Sequence, residues 1–384
     1  MFGLSVAIKY IVVESLLGWF SPVKVLLVIT ELEPGGAERN LVKLAIGLAE
    51  RGKLVTVVTL SSAPSNDLLT QELSKTGISV HHLGCDSIWS LLKAGFKLAR
   101  IIKQIDPDII QSFLYHANLL TSICNHRKIP HYIGLRVKDP RVRRYRRLAR
   151  HQHKWVGIIC VSEDVRRHIS TYFSKSSGVI STIPNGVDLQ QIAQLSAGSW
   201  PDDVIKGNSR LVFVGRLDEQ KGIDLLIGQI PCLLANNKDR HLYIIGDGPL
   251  RNALAKSVAK LPSNKQVHLL GYREDALVLV SQANLFLFPS RWEGMPNAVM
   301  EAMALSRPVC STPVDGIREL LGHNESQIAE PDNWGSAALA LLRRSDNELK
   351  NIGGENYKRI SENYLAERMI NSYLMLYETK HCND

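Results

Sequence analysis

LFLFPSRWEGMPNAVMEAM, residues Leu285 to Met303, decides the fold. A short apolar strand, Leu285–Pro289, runs into a turn and then into a helix whose Ala298, Val299, Ala302 and Met303 recur at helical spacing. Pro296 suits the first helical turn, where no amide is required of it. Gly294 and Met295 then fall at a helix N-terminus, which carries partial positive charge and unpaired amides and can seat a phosphate or sugar hydroxyls. Glu293 lies in the loop and Glu301 about one turn into the helix, off the apolar stripe. Either carboxylate alone would read as a helix-end charge or a surface pair.

Working outward, the same strand-then-helix rhythm extends in both directions, the mark of βαβ units and parallel sheets. On the C-terminal side of the chain, strands are expected at Leu211–Val214, Leu242–Ile245, Val267–Leu270 and Pro308–Thr312 as well, with an amphipathic helix at Ile223–Leu234 and a last helix near Glu348–Glu378. Towards the start, strands are expected at Val23–Thr30, Leu54–Leu60, Ser79–Leu83, Ile109–Phe113, His131–Leu135 and Gly157–Val161. The polar stretch Gln194–Ser209 interrupts the rhythm and reads as a linker. A chain of 384 residues exceeds one compact core. The reading is therefore α/β: two Rossmann-like, doubly wound parallel-sheet domains facing one cleft. Its boundaries are an N-terminal extension (1–22), a first domain (23–193), a linker (194–209), a second domain (210–360) and a C-terminal helix (361–384).

Composition narrows the function classes. With 45% hydrophobic and 22% charged residues the chain is neither disordered nor fibrous. Lys9 and Glu14 break the early apolar stretch below the roughly 20 residues that a spanning helix needs, and no secretory cleavage pattern follows, so a cytoplasmic protein is expected. Ile11, Val12, Leu16, Leu17, Trp19 and Phe20 fit an interfacial helix and equally an ordinary extension. Cys85, Cys124, Cys160, Cys232, Cys310 and Cys382 show no metal or disulfide spacing. Asp106-Pro107-Asp108 looks like a metal-binding DxD but precedes its strand and reads as a turn. No metal or other cofactor is expected.

The charge is uneven. Residues 1–200 hold 25 Lys and Arg against 14 Asp and Glu, and residues 201–384 hold 21 against 23. Nine cations crowd Arg136–Lys154 against one acid, Asp139. In helical register Arg143, Arg147, Arg150 and Lys154 form one stripe, and with Arg136 they are expected to face something anionic. A solvated helix would more often interleave both signs.

Two further places offer chemistry. Gly35 and Gly36 open the helix after the first strand, where a bare backbone can approach an anion, but no GxGxxG accompanies them. Arg216 and Lys221 lie at the carboxyl edge of the second sheet and suit a diphosphate, or else surface pairing with Asp218 or Glu219.

The spacing of Glu293 and Glu301, together with GGAER (Gly35–Arg39), NGVD (Asn185–Asp188), VGRL (Val214–Leu217) with Lys221-Gly222, GDGP (Gly246–Pro249) and LGY (Leu270–Tyr272), resembles the family 4 retaining glycosyltransferases of the GT-B fold. That resemblance covers roughly residues 23–320 in family order. It implies a nucleotide-sugar donor on the C-terminal domain, an acceptor on the N-terminal domain, and a last helix that crosses back. By position, Arg216 and Lys221 resemble the diphosphate pair, Glu301 the ribose-holding carboxylate and Glu293 the carboxylate beside the donor sugar. Gly294, Met295, Pro296 and Asn297 resemble the backbone contacts to sugar and phosphate, Gly35 and Gly36 the closing loop, and Tyr272 and Arg273 the base-binding stretch. His116 is a candidate for the family's active-site His, with Phe113 in another expected His position. A surface His is the alternative.

The resemblance implies transfer, with retention and without a metal, of a hexose or N-acetylhexosamine, by family frequency from a UDP-sugar. The basic stripe then suits a lipid-linked or polysaccharide-precursor acceptor and an anionic membrane surface. Two other readings stand beside it. One is a nucleic-acid binder using Arg136–Lys154, which lacks a binding module and aromatic interleaving. The other is a GT-B sugar-phosphate synthase or epimerase with a soluble substrate.

Overall fold

A computed structural model describes residues 22–85, 90–173, 178–322 and 324–378. The apolar residues Ile11 to Phe20 of the expected interfacial helix lie outside the described residues. The strands are β1 (Lys24–Ile29), β2 (Leu54–Thr59), β3 (Ser79–His82), β4 (Ile109–Phe113), β5 (His131–Leu135), β6 (Gly157–Cys160), β7 (Val179–Thr182), β8 (Ser209–Val214), β9 (Arg240–Ile245), β10 (Val267–Gly271), β11 (Leu285–Phe288) and β12 (Val309–Ser311). They form one sheet of order β3-β2-β1-β4-β5-β6-β7 and a second of order β10-β9-β8-β11-β12. The chain divides into two compact units: residues through Tyr132 with Lys154–Val156, and Ile133–His153 with residues from Gly157 onward.

Parallel strands covered on both faces must be apolar throughout. In β1, Val25 to Ile29 are at most 1% exposed, and all four residues of β11 are fully buried. β1 pairs in parallel with β2 on one side and β4 on the other, and β8 does the same with β9 and β11. Strand order therefore reverses at β1 and again at β8. In such sheets the carboxyl ends beside the reversal are where loops diverge and ligands bind. β11 pairs with β8 through Leu285–Leu211 and Phe286–Val212, so the loops after Val214 and Phe288 leave side by side.

Two elements depart from the sequence expectation. β7 escapes notice because its Val179 is 62% exposed and the rest of VIST is only half-buried, which leaves no apolar run to read. The expected single last helix is two helices, Asp346–Asn363 and Ala366–Glu378. The first starts with a capping box formed by Ser345 and Glu348. The break falls where Val187 donates its N–H to the Tyr364 carbonyl at 2.9 Å and accepts one from Ala366 at 2.8 Å. These bridge hydrogen bonds take the place of helical ones. No helix among the described residues is long and apolar enough to cross a membrane.

Candidate functional site

The loop after β8 and the loop after β11 are stitched together. The Arg291 N–H donates to the Gln220 carbonyl at 2.8 Å, and the Gln220 side-chain amide donates to the Trp292 carbonyl at 3.0 Å. Arg291 also pairs with Asp224. Gly222 precedes the helix Ile223–Leu234 with φ +64°, and a Cβ there would stand 1.9 Å from the Pro289 carbonyl oxygen. Only glycine lets the two loops come this close.

That closeness sets the central contact. Lys221 Nζ lies 2.5 Å from Glu293 Oε1 and 5.5 Å from the centre of the Phe288 ring. Glu293 is 6% exposed. A carboxylate this buried requires a partner, and Lys221 supplies it. An ammonium carries three N–H donors, of which one serves Glu293. By resemblance Lys221 belongs to a diphosphate and Glu293 to a sugar; in the fold the two side chains also touch each other. Arg216 is 70% exposed, with its Nε 3.3 Å from Asp218 Oδ2. Asp218 also accepts from the Lys221 N–H at 3.1 Å, which fixes the turn bearing both cations.

Glu293, Gly294, Met295 and Pro296 are all buried at the entry to the helix Asn297–Ala304. Pro296 is the residue before the first helical turn, one place earlier than expected, and the helix has no side-chain cap. Pro296 makes no capping hydrogen bond, and the helix N-terminus carries the partial positive charge that suits an anion. Gly294 is required by crowding, because a Cβ would lie 2.0 Å from the Arg136 carbonyl oxygen. Glu301 is half-buried one turn into this helix.

Asn185 organises the same turn. Its Nδ2 donates to the Met295 carbonyl at 2.9 Å and to Asn297 Oδ1 at 2.8 Å, and its Oδ1 accepts from Arg136. Asn185 was legible only as part of the NGVD motif; its role came from no spacing argument. Arg136 is consequently not part of a solvent-facing patch. It is 8% exposed, held by Asn185, and lies close enough to Tyr373 to oppose the upward push of burial on that phenol.

The rest of the basic stretch is partly as expected. Arg143, Arg147 and Arg150 are exposed on or just beyond the helix Val142–Ala149. That helix ends at Ala149, so Lys154 is not in its register and belongs to a 3₁₀ turn, Gln152–Lys154. The chain turns there to bury Trp155, whose indole N–H donates to Ser122 Oγ at 2.7 Å. Arg144 is committed to Asp139 at 2.6 Å.

Tyr272 is 50% exposed after β10. The Arg273 side chain is tied to Asp275 and Asp203, at 2.7 and 2.6 Å, and those hydrogen bonds, Asp275 foremost, raise its pKa. Any contact it makes to a base therefore falls to its backbone.

In the first unit, Gly36 begins the helix Gly36–Glu50, with Gly35 extended before it at φ −137°. Asn40 Nδ2 donates to the Gly36 carbonyl at 2.7 Å. His116 is exposed in the first turn of the helix Tyr115–Cys124, its ring edge-on to Tyr115 at 5.0 Å, whereas Phe113 is 2% exposed in the core. Leu114, between them, has φ +69° and ψ 158°, backbone that side chains rarely adopt. Beneath this turn Ser112 Oγ donates to Asn118 Oδ1 at 2.7 Å and lies 2.8 Å from His131 Nε2. Complete burial depresses His131 to about 3, so its ring is neutral. With the serine proton given to Asn118, the Nε2 nitrogen must carry the imidazole proton. This network was not foreseen. Asp106-Pro107-Asp108 is a turn, as expected: Asp106 ends a helix with φ +49°, and Asp108 accepts the Lys24 N–H at 2.7 Å.

Comparison with known proteins places these features in a family. Residues 34–191 match the Glycosyltransferase Family 4 profile and residues 208–345 the profile for Glycosyl transferases group 1. The chain is 29% identical over 254 residues to an uncharacterized glycosyltransferase of Methanocaldococcus jannaschii, covering 61% of this chain and 62% of that one. Over 185 residues it is 32% identical to the UDP-Gal:alpha-D-GlcNAc-diphosphoundecaprenol alpha-1,3-galactosyltransferase of Escherichia coli, covering 46% and 48%. The chain thus spans less than two thirds of the length of either curated relative. Its fold is similar to that of HepE from Anabaena in complex with UDP and glucose, at TM-score 0.77 and 18% identity over 93% of this chain and 100% of that one. With two parallel α/β sheets and both profiles matched in order, the chain belongs to the family 4 glycosyltransferases and has the GT-B fold.

Proposed function

We propose that the protein is a retaining glycosyltransferase that moves a hexose or N-acetylhexosamine from a UDP-sugar to a lipid-linked or polysaccharide-precursor glycan. The observation that carries this reading is the Lys221–Glu293 pair, 2.5 Å apart at the turn Gly294 to Pro296 that leads into the helix Asn297–Ala304. A buried carboxylate next to a cation and a helix N-terminus suits a ligand with sugar hydroxyls at one end and phosphates at the other. UDP is the choice because the Escherichia coli relative is named for UDP-Gal and the Anabaena structure holds UDP and glucose. The diphosphoundecaprenol in that relative's name supports a lipid-linked acceptor.

In this reading residues 210–360 take the donor and residues 23–193 the acceptor. Arg216, Lys221 and the helix amides stabilise charge growing on the departing diphosphate, the electrostatic assistance that usually matters most. The departing phosphate itself accepts the proton of the attacking hydroxyl. Glu293 holds Lys221 and faces the sugar, Glu301 binds the ribose hydroxyls, and His116, in the first turn of the Tyr115–Cys124 helix, is kept as the candidate for the family's active-site His. No metal or other cofactor takes part. Arg143, Arg147 and Arg150 face the anionic acceptor or the membrane surface, at about 1 kcal/mol per cation, and we place the enzyme at the cytoplasmic face. The test is thermal shift and slow sugar release with UDP-GlcNAc, UDP-Glc, UDP-Gal and GDP-Man, for the wild type and Glu301→Ala. A shift with one UDP-sugar, lost in the variant, supports the assignment, and no response to any donor defeats it.

A further inference from the structure

We propose that the helix Leu91–Ile105 is a docking surface for an anionic lipid bilayer. It buries Ala94, Leu98 and Ile102, as an amphipathic helix should. Its outer face is unusual. Leu92 is 78% and Phe96 79% exposed, and Leu91 at the helix start is 39% exposed. Leu92, Phe96, Ala99 and Lys103 fall at i, i+4, i+7 and i+11, one stripe along the helix. Along one side of the stripe lie Lys93, Lys97 and Arg100, with Lys97 Nζ donating to the Leu83 carbonyl at 2.9 Å, and no Asp or Glu occurs from Leu91 to Ile105.

The neighbouring helix Tyr115–Cys124 extends the surface. The two cross at Gly95, where a Cβ would meet Cys124 Sγ at 3.5 Å. Near that crossing Ile123 is 44% exposed, and Lys154 Nζ donates to the carbonyl of Ser122 at 3.0 Å. An apolar stripe with cations along one side, Lys103 at its end and Lys154 beside the neighbouring helix is matched by a leaflet that offers hydrocarbon depth and negative headgroups together. Lysine stems can lie along the apolar side chains while their ammonium groups stay at the headgroups. The inference deepens the lipid-linked acceptor reading and rests on it for the choice of a bilayer over another anionic partner.

The experiment is co-sedimentation of the full chain with phosphatidylcholine vesicles, with and without phosphatidylglycerol. Wild type is expected to bind only the anionic vesicles. Leu92→Ser/Phe96→Ser should weaken that binding at least about tenfold, and Lys93→Glu/Arg100→Glu should reduce the preference for phosphatidylglycerol. All four positions are exposed, so folding should survive, and an unchanged UDP-sugar thermal shift verifies it. Undiminished binding by the double variants, or no binding by wild type, overturns the proposal. So does a concentration-dependent dimer lost in Leu92→Ser/Phe96→Ser, which would give this face to a second copy. An absent donor shift in wild type would instead count against glycosyl transfer and leave the vesicle result standing on its own.

Discussion

Replacing Gly222 by alanine tests whether the two loops of the second sheet are held together as described. Gly222 has φ +64°, left-handed backbone that costs a residue with a Cβ about 1–2 kcal/mol. The added carbon would stand 1.9 Å from the Pro289 carbonyl oxygen, backbone that cannot rotate away. Relieving such an overlap in a packed interior costs about 1–3 kcal/mol more. Gly222→Ala should therefore lose about 3 kcal/mol, or roughly 6–12 °C in Tm for a domain of this size. The control lies in the adjoining helix. A Cβ at Gly228 would meet nothing within 4 Å, so Gly228→Ala should gain about 0.5–1 kcal/mol from helix propensity alone. Differential scanning fluorimetry reads both, with and without UDP-sugar. If Gly222→Ala stays within about 2 °C of wild type, or moves with Gly228→Ala, the loops are not in this contact and the placement of Lys221 against Glu293 fails with them.

Other outcomes follow from the same geometry. Glu293→Gln keeps the shape of the side chain but removes the charge beside Lys221, and should lower donor hydrolysis at least about tenfold while costing about 1–2 kcal/mol, since Lys221 is only partly buried; unchanged hydrolysis would remove Glu293 from the site. The His131 ring, depressed from 6.5 to about 3, favours folding fully above its unfolded pKa, and that contribution is lost as pH falls through the window between the two values. At pH 5 the loss is about 2 kcal/mol, seen as a fall in the urea midpoint from pH 7 to pH 5 that His131→Gln should reduce; an equal fall in the variant contradicts the neutral-ring assignment. Charge reversal at Arg143, Arg147 and Arg150 should raise KM for a diphosphate-linked acceptor at low salt and leave donor hydrolysis unchanged, and the difference should shrink as salt screens it; an unaltered acceptor KM would free those residues from acceptor binding.

What the sequence disclosed, and what it withheld, follows physical lines. The buried strands were legible because Val25–Ile29 and Leu285–Phe288 have apolar neighbours on both faces and so read as continuous runs. β7 was not, because an edge strand with an exposed Val179 has no such run. The end of the basic helix at Ala149 was hidden because arginines continue past it, and only the burial of Trp155 shows why the chain turns. Residue types at Glu293, Lys221 and Gly294 were sufficient to locate the candidate site by resemblance. Their contacts were not, since Lys221 and Glu293 lie 72 residues apart and meet only through the β8–β11 pairing. Arg136 shows the same limit from the other side. As a letter it joins a run of cations, and in the fold it is buried against Asn185, 49 residues away.

Transfer itself can be followed by incubation with labelled UDP-sugars and a polyprenyl-diphosphate-linked sugar, extraction of the lipid product, and assignment of the new anomeric centre by NMR. Label is expected in the lipid fraction from a UDP-sugar, with the donor's α configuration kept, and is expected to be lost in Glu293→Gln. Transfer with an inverted anomeric centre would contradict the retaining mechanism. The absence of transfer, together with the absence of any UDP-sugar binding, would contradict the donor site built around Lys221, Glu293 and the Asn297 helix.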